Sequence, residues 1–174
     1  EHDAYVIADC VTSLGGVPVE VDEWGVDIAY SAAQKSLSAP PGASPLTVSD
    51  RGREKILGRE EPTRSWYLDL SLLDGYCGED RSYHHTAPIT SIYALREALR
   101  IAAEEGIEAR WARHERVAGE LVDGLAELGL SMNPPADLAL PTLNAVEVPD
   151  GVDDAAVIAR LRDEHDIEIA SGLG

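Results

Sequence analysis

The sequence predicts an α/β fold followed by a smaller α+β unit, on three observations. Short, mostly apolar runs bounded by Gly and Pro fill the first fifty residues. A clear amphipathic helical pattern starts near Pro88, and a strand–helix–strand pattern closes the chain. Tyr5–Val11 is apolar enough for a strand buried on both faces. Gly15-Gly16 breaks that run, and Val17–Val21 and Val26–Ser31 follow as strand candidates around Asp22-Glu23-Trp24-Gly25. Pro40-Pro41-Gly42 forces a turn before a strand over Pro45–Val48, and Asp50 is the expected N-cap of a helix to Leu57.

Ile89, Ile92, Leu95, Leu99 and Ala102 recur at three- and four-residue spacing, which predicts a helix with one apolar stripe. Gly106 interrupts it, and a second helix runs from about Ile107 to Leu128. Further on, Leu143–Val148 reads as extended, Asp153–His165 as an amphipathic helix and Asp166–Ala170 as a terminal strand. The expected organisation is a larger α/β domain over residues 1–105, then an inter-domain helix and a partial small domain over 106–174.

The 174 residues carry 32 acidic and 14 basic side chains, a formal charge of −18. Such a surface repels phosphate backbones, so nucleic-acid binding is not expected. No apolar run approaches the ~20 residues of a membrane span, and no signal peptide is visible. Cys10 and Cys77 form neither a disulfide framework nor a metal-ligand spacing, and a cytoplasmic setting is expected. His84 and His85 are adjacent but lack a third ligand at a helical or hairpin spacing, so no metal is assigned. Trp24, Trp66 and Trp111 are read as core or interface residues.

Two residues carry chemistry. Lys35 follows Ala32, Ala33 and Gln34 and precedes the stiff Pro40-Pro41-Gly42 turn; a lysine among small residues readily yields the free amine that attacks a carbonyl. Its plain alternative is a surface lysine at a strand end. Asp9 ends an apolar run, where a carboxylate needs a partner: a cationic ring nitrogen, or simply backbone N–H groups. A carboxylate for a pyridinium nitrogen and a Schiff-base lysine are the main protein contributions to pyridoxal-phosphate chemistry.

The segments Ala8-Asp9-Cys10-Val11-Thr12-Ser13-Leu14-Gly15-Gly16, Ser31–Gly42 (with Gln34-Lys35) and Tyr83-His84-His85-Thr86 resemble the class V aminotransferases. The likeness is to the alanine–glyoxylate and serine–pyruvate (serine–glyoxylate) group and runs through Gly174. It implies the aspartate-aminotransferase-like fold type I with pyridoxal 5'-phosphate as cofactor. It also implies transfer of an amino group from alanine or serine to glyoxylate or pyruvate, in a homodimer with a shared active site. Lys35 would carry the cofactor as a Schiff base and shuttle a proton, and Asp9 would pair with the ring nitrogen. Val11 would pack on the ring and Gln34 would contact the phosphate, while Tyr83 and Thr86 would reach the phosphate of the neighbouring subunit. The resemblance further implies a C-terminal fragment, with the ring-stacking aromatic upstream and the substrate-carboxylate arginine beyond Gly174. Its rivals are an aminoethylphosphonate transaminase, a cysteine desulfurase-like enzyme or a truncated non-catalytic scaffold.

The acidic excess, with Lys35 and Lys55 the only lysines, further predicts salt adaptation, because counter-ions relieve self-repulsion. The expected outcome is a melting temperature that climbs as KCl is raised to molar concentration; a flat profile would remove that reading.

Overall fold

The computed structural model describes residues 3–79 and 81–172. The resemblance noted above therefore ends in Leu173 and Gly174, which lie outside the described residues. Contacts divide the chain into two compact units, Glu1–Arg110 and Trp111–Gly174.

In the first unit, β1 (Ile7–Asp9), β2 (Ile28–Tyr30) and β3 (Leu46–Val48) form one sheet in that order. β1 and β2 run parallel with Asp9 opposite Tyr30, and β3 returns antiparallel with Leu46 opposite Tyr30. The first expected strand is shorter than its apolar run and is not buried on both faces: Ile7 is 63% exposed on the outer strand. Val17–Val21 is not a strand. Pro18 offers no N–H to a ladder, and the segment is instead irregular chain between two turns, with a single bridge between Leu14 and Val17.

Helix α1 (Asp50–Leu57) is capped by Ser49 rather than Asp50: the Ser49 hydroxyl accepts the Gly52 N–H at 3.0 Å. Asp50 sits in the first turn, where its charge complements the helix dipole. Gly52 is buried, and a Cβ there would lie 2.8 Å from the Asp27 carbonyl oxygen, so a side chain would push α1 off the start of β2. Helix α2 (Leu70–Cys77), which the sequence reading did not resolve, starts at Asp69, whose carboxylate accepts the Ser71 N–H.

Helix α3 (Ile89–Glu105) meets the core along only part of the expected stripe: Leu95 and Ala102 belong to it, and Ala98 joins them from outside it. Ile89, Ile92 and Leu99 are 60%, 47% and 48% exposed, while Ala98 and Ala102 are buried. Ala98 packs with Ala33 and Ala39, flanked by Ala43 and Leu95. The small residues bring α3 close to the loop after β2, a selection that apolar periodicity alone does not record. Trp24 and Trp66, expected in a core or interface, are 53% and 57% exposed in this chain.

The second unit contains most of α4 (Ile107–Glu127), the two-residue strands β4 (Met132–Asn133) and β5 (Ala145–Val146), and α5 (Asp154–His165). β4 and β5 pair antiparallel; β5 lies within the expected extended run, and β4 was not foreseen. Asp153 caps α5 through its side chain. Asp166–Ala170 is not a strand. Asp166 takes a left-handed conformation that ends α5, and Ile167 donates back to the Leu161 carbonyl, while Ile167 and Ile169 remain 49% exposed. No helix among the described residues is long and apolar enough to cross a membrane.

An ion pair between a buried carboxylate, Asp27, and the half-exposed Arg51 fixes the start of the sheet. Asp27, 3% exposed, accepts Arg51 Nε at 2.8 Å and Nη2 at 2.6 Å, Val6 N–H at 2.8 Å and the Ser49 hydroxyl at 3.2 Å. The Arg51 guanidinium, and then the Val6 N–H, hold the Asp27 carboxyl well below its ordinary range. The unfolded chain therefore takes up this proton first as pH falls. The stabilisation is complete above the usual carboxylate pKa of about 4 and is lost as pH drops through that value towards the folded one. Asp27→Asn should melt several degrees below wild type at neutral pH, and the gap should narrow in acid. A gap that stays constant from about pH 7 to about pH 3 would contradict this account.

Candidate functional site

Parallel strands open their C-terminal ends on the same edge of a sheet, the usual place for a ligand in an α/β layer. Here that edge carries Asp9, at the end of β1, and Tyr30, its register partner at the end of β2. The Asp9 carboxylate accepts the Tyr30 hydroxyl at 3.0 Å and the Val11 N–H at 2.9 Å, the latter a local Asx-type turn. Asp9 is exposed and Val11 half-buried, so the carboxylate meets both a structural partner and open space. Hydrogen bonding to Asp9 keeps the Tyr30 phenol protonated above its ordinary pKa. Nothing in the sequence pattern singles out Tyr30; only the register with Asp9 does.

Five residues after Tyr30, the chain makes the turn that carries Lys35. Its anchors are buried: Ala33 is 0%, Leu37 6% and Ala39 7% exposed. The Ser38 N–H closes on the Lys35 carbonyl at 2.8 Å, and Ala39 N–H on the Ala33 carbonyl at 2.9 Å, with Ser38 left-handed at φ 61°. This arrangement leaves Gln34 and Lys35 exposed on the turn. The sequence reading set Lys35 among small residues, and Ala33 is indeed enclosed, but the described residues do not enclose the lysine itself.

The loops after β1 and β2 are laced together. The Ser31 hydroxyl donates to the Cys10 carbonyl at 2.9 Å, and the Ser36 hydroxyl to the Thr12 carbonyl at 3.0 Å. Gly15, at φ 89°, lies so close to Leu37 that a Cβ would meet Leu37 Cδ2 at 2.9 Å. The structure therefore brings Asp9, Val11, Gln34 and Lys35 onto two tied loops at one sheet edge. Serines, which the sequence reading passed over, form the ties.

Tyr83 and Thr86 form a separate pair. Their side-chain oxygens lie 3.2 Å apart, and Tyr83 is 79% exposed. Between them His84 is buried, stacked on Trp66 at 4.1 Å, with its Nδ1 2.8 Å from Nδ1 of His85 and its Nε2 3.1 Å from the Trp66 carbonyl oxygen. The histidines thus pin the loop so that the two hydroxyl-bearing residues project from it. Cys10 is buried behind β1 and Cys77 is exposed at the end of α2. Among the described residues no three His, Cys, Asp or Glu side chains gather as a metal site.

Comparison with known proteins extends over the whole chain. The family model for class V aminotransferases matches residues 1–174. The alanine–glyoxylate aminotransferase of Callithrix jacchus is 43% identical over 178 residues, which cover 99% of this chain and 43% of that protein. Among solved structures, an alanine–glyoxylate aminotransferase from Nostoc sp. superposes with a TM-score of 0.92 at 51% identity, covering 98% of this chain and 45% of that one. The ureidoglycine–glyoxylate aminotransferase of Bacillus subtilis gives 0.90 at 41% identity, covering 99% and 44%. The chain thus spans a little under half the length of these relatives, as an incomplete piece of the fold type I α/β architecture. Matched from end to end by the family model, this chain belongs to the class V aminotransferases.

Proposed function

We propose that the protein containing this chain is a pyridoxal 5'-phosphate-dependent transaminase that moves an amino group from alanine or serine to glyoxylate or pyruvate. The observation that carries the reading is the parallel register of β1 and β2, which delivers Asp9 and the Lys35 turn to the same sheet edge. The relatives at 43% and 51% identity are alanine–glyoxylate aminotransferases, which supports alanine as donor and glyoxylate as acceptor.

The donor set fits the cofactor. Asp9 keeps acceptor capacity beyond its bonds to Tyr30 and Val11, as a ring N–H requires. Gln34, Tyr83 and Thr86 are exposed donors of the kind a phosphate takes. Pyridoxal phosphate, when bound, supplies an electron sink for the pair released at the substrate Cα. Asp9 would hold the ring nitrogen in its cationic form. Lys35 Nζ would bind the cofactor covalently and, once displaced by the amino acid, take the proton from the substrate Cα. Val11 would pack on the ring and Gln34 on the phosphate, while Tyr83 and Thr86 would serve the phosphate of a second subunit in a homodimer. Residues 1–105 would belong to the large cofactor domain and 106–174 to the start of the small one.

In the full-length protein, borohydride reduction after incubation with pyridoxal phosphate should leave a pyridoxyl group on the peptide containing Lys35. Lys35→Ala should retain cofactor only non-covalently and lose at least about 10²-fold in turnover, the scale of a missing general base. Absence of the adduct, or near-normal turnover in Lys35→Ala, would overturn the assignment.

A further inference from the structure

The first turn of α4 carries a residue that the sequence reading gave no role. Arg110 is 6% exposed, and a buried guanidinium must find acceptors for its donors. It finds them on both loops of the site. Nε donates to the Gly15 carbonyl at 3.2 Å, on the loop that follows Asp9. Nη2 donates to the Ser36 carbonyl at 2.5 Å, the residue next to Lys35, and to the Ser38 hydroxyl at 3.2 Å. Nη1 is paired with Glu105 at 2.8 Å, which balances the buried charge. All of these contacts lie within the first compact unit.

We propose that Arg110 is a positioning residue that sets the placement of Lys35 relative to Asp9 by clamping the carbonyls of Gly15 and Ser36. The inference rests on the reading of Lys35 and Asp9 as cofactor residues. Neither loop is in a strand or helix at these points; the seam consists of the Arg110 fork, the Ser31–Cys10 and Ser36–Thr12 hydrogen bonds and the contact of Leu37 with Gly15. The two linked carbonyls are 21 residues apart in sequence. A lysine at 110 would keep the charge but not the planar fork that spans both. The loops would then drift apart by fractions of an ångström to an ångström, enough to cost about 10²-fold in a reaction that depends on oriented groups.

The test uses the full-length, cofactor-loaded enzyme with Arg110→Lys, and Arg116→Lys as a surface control, since among the described residues Arg116 forms an exposed pair with Glu120 on its own helix. Three quantities are read: the fraction of Lys35 trapped as pyridoxyl-lysine at limiting pyridoxal phosphate, kcat and KM, and the melting temperature without cofactor. Arg110→Lys should lower covalent occupancy about tenfold and kcat between about tenfold and about 10²-fold, with KM changing much less. Its cofactor-free melting temperature should stay within a few degrees of wild type, and Arg116→Lys should match wild type throughout. If Arg110→Lys does not fold, Ser36→Ala reads the same seam and should lower occupancy about fivefold, the scale of one net hydrogen bond. Wild-type occupancy and kcat in Arg110→Lys, or in Ser36→Ala where that variant substitutes, would overturn the clamp while leaving the cofactor reading intact. Failure of wild-type Lys35 to be trapped would overturn the cofactor reading and the clamp with it.

Discussion

The parallel pairing of β1 with β2, in the register that sets Asp9 against Tyr30, is the constraint on which the rest of the site depends. Parallel strands finish on the same side, so the two loops that follow begin next to each other whatever their sequences. A slip of one residue would turn every side chain of β1 to the opposite face and take the Asp9 carboxylate away from the Tyr30 hydroxyl. The register is secured at the far end of the same strands. Asp27 N–H donates to the Val6 carbonyl at 2.9 Å, its carboxylate takes the Val6 N–H back at 2.8 Å, and Arg51 locks that carboxylate in turn. A buried, multiply bonded carboxylate is costly to leave incomplete, so the correct register is enforced at one end and used at the other.

How much of this could be read in advance follows from the range of each interaction. The Lys35 turn was legible because its determinants are local: small residues, a Gln-Lys pair and Pro40-Pro41-Gly42 within a dozen positions. Asp9 drew attention as a carboxylate ending an apolar run, yet the structure leaves it exposed and bonded to Val11 and Tyr30. Tyr30 and Arg110 were not legible, since the first matters only through its register with Asp9 and the second reaches Gly15 across 95 positions. Where local pattern did mislead, a competing local feature won. Pro18 removed a ladder donor from Val17–Val21, and Asp166 in the left-handed region turned the Ile167/Ile169 alternation into a helix exit. The stripe on α3 was located by hydrophobicity and holds at Leu95 and Ala102, but at the closest approach small size counts, so Ala98 is buried while Leu99 is not.

The division of labour between the two kinds of cation sharpens the chemical reading. Twelve of the fourteen basic residues are arginines, as only Lys35 and Lys55 are lysines. Arginine makes the multiple contacts of the first unit: Arg51 forks from the surface onto the buried Asp27, and the buried Arg110 spreads its donors over two carbonyls, a hydroxyl and a carboxylate. A guanidinium suits such work because it is planar, offers several donors and does not lose its charge. The same permanence disqualifies it as a nucleophile. An ammonium on a flexible stem makes a poorer clamp, yet it can release its proton and attack a carbonyl. Lys35 sits on a turn anchored at Ala33, Leu37 and Ala39 and tied through Ser36 to the loop that follows Asp9, and the amine role proposed for it is one that no arginine of the chain could take.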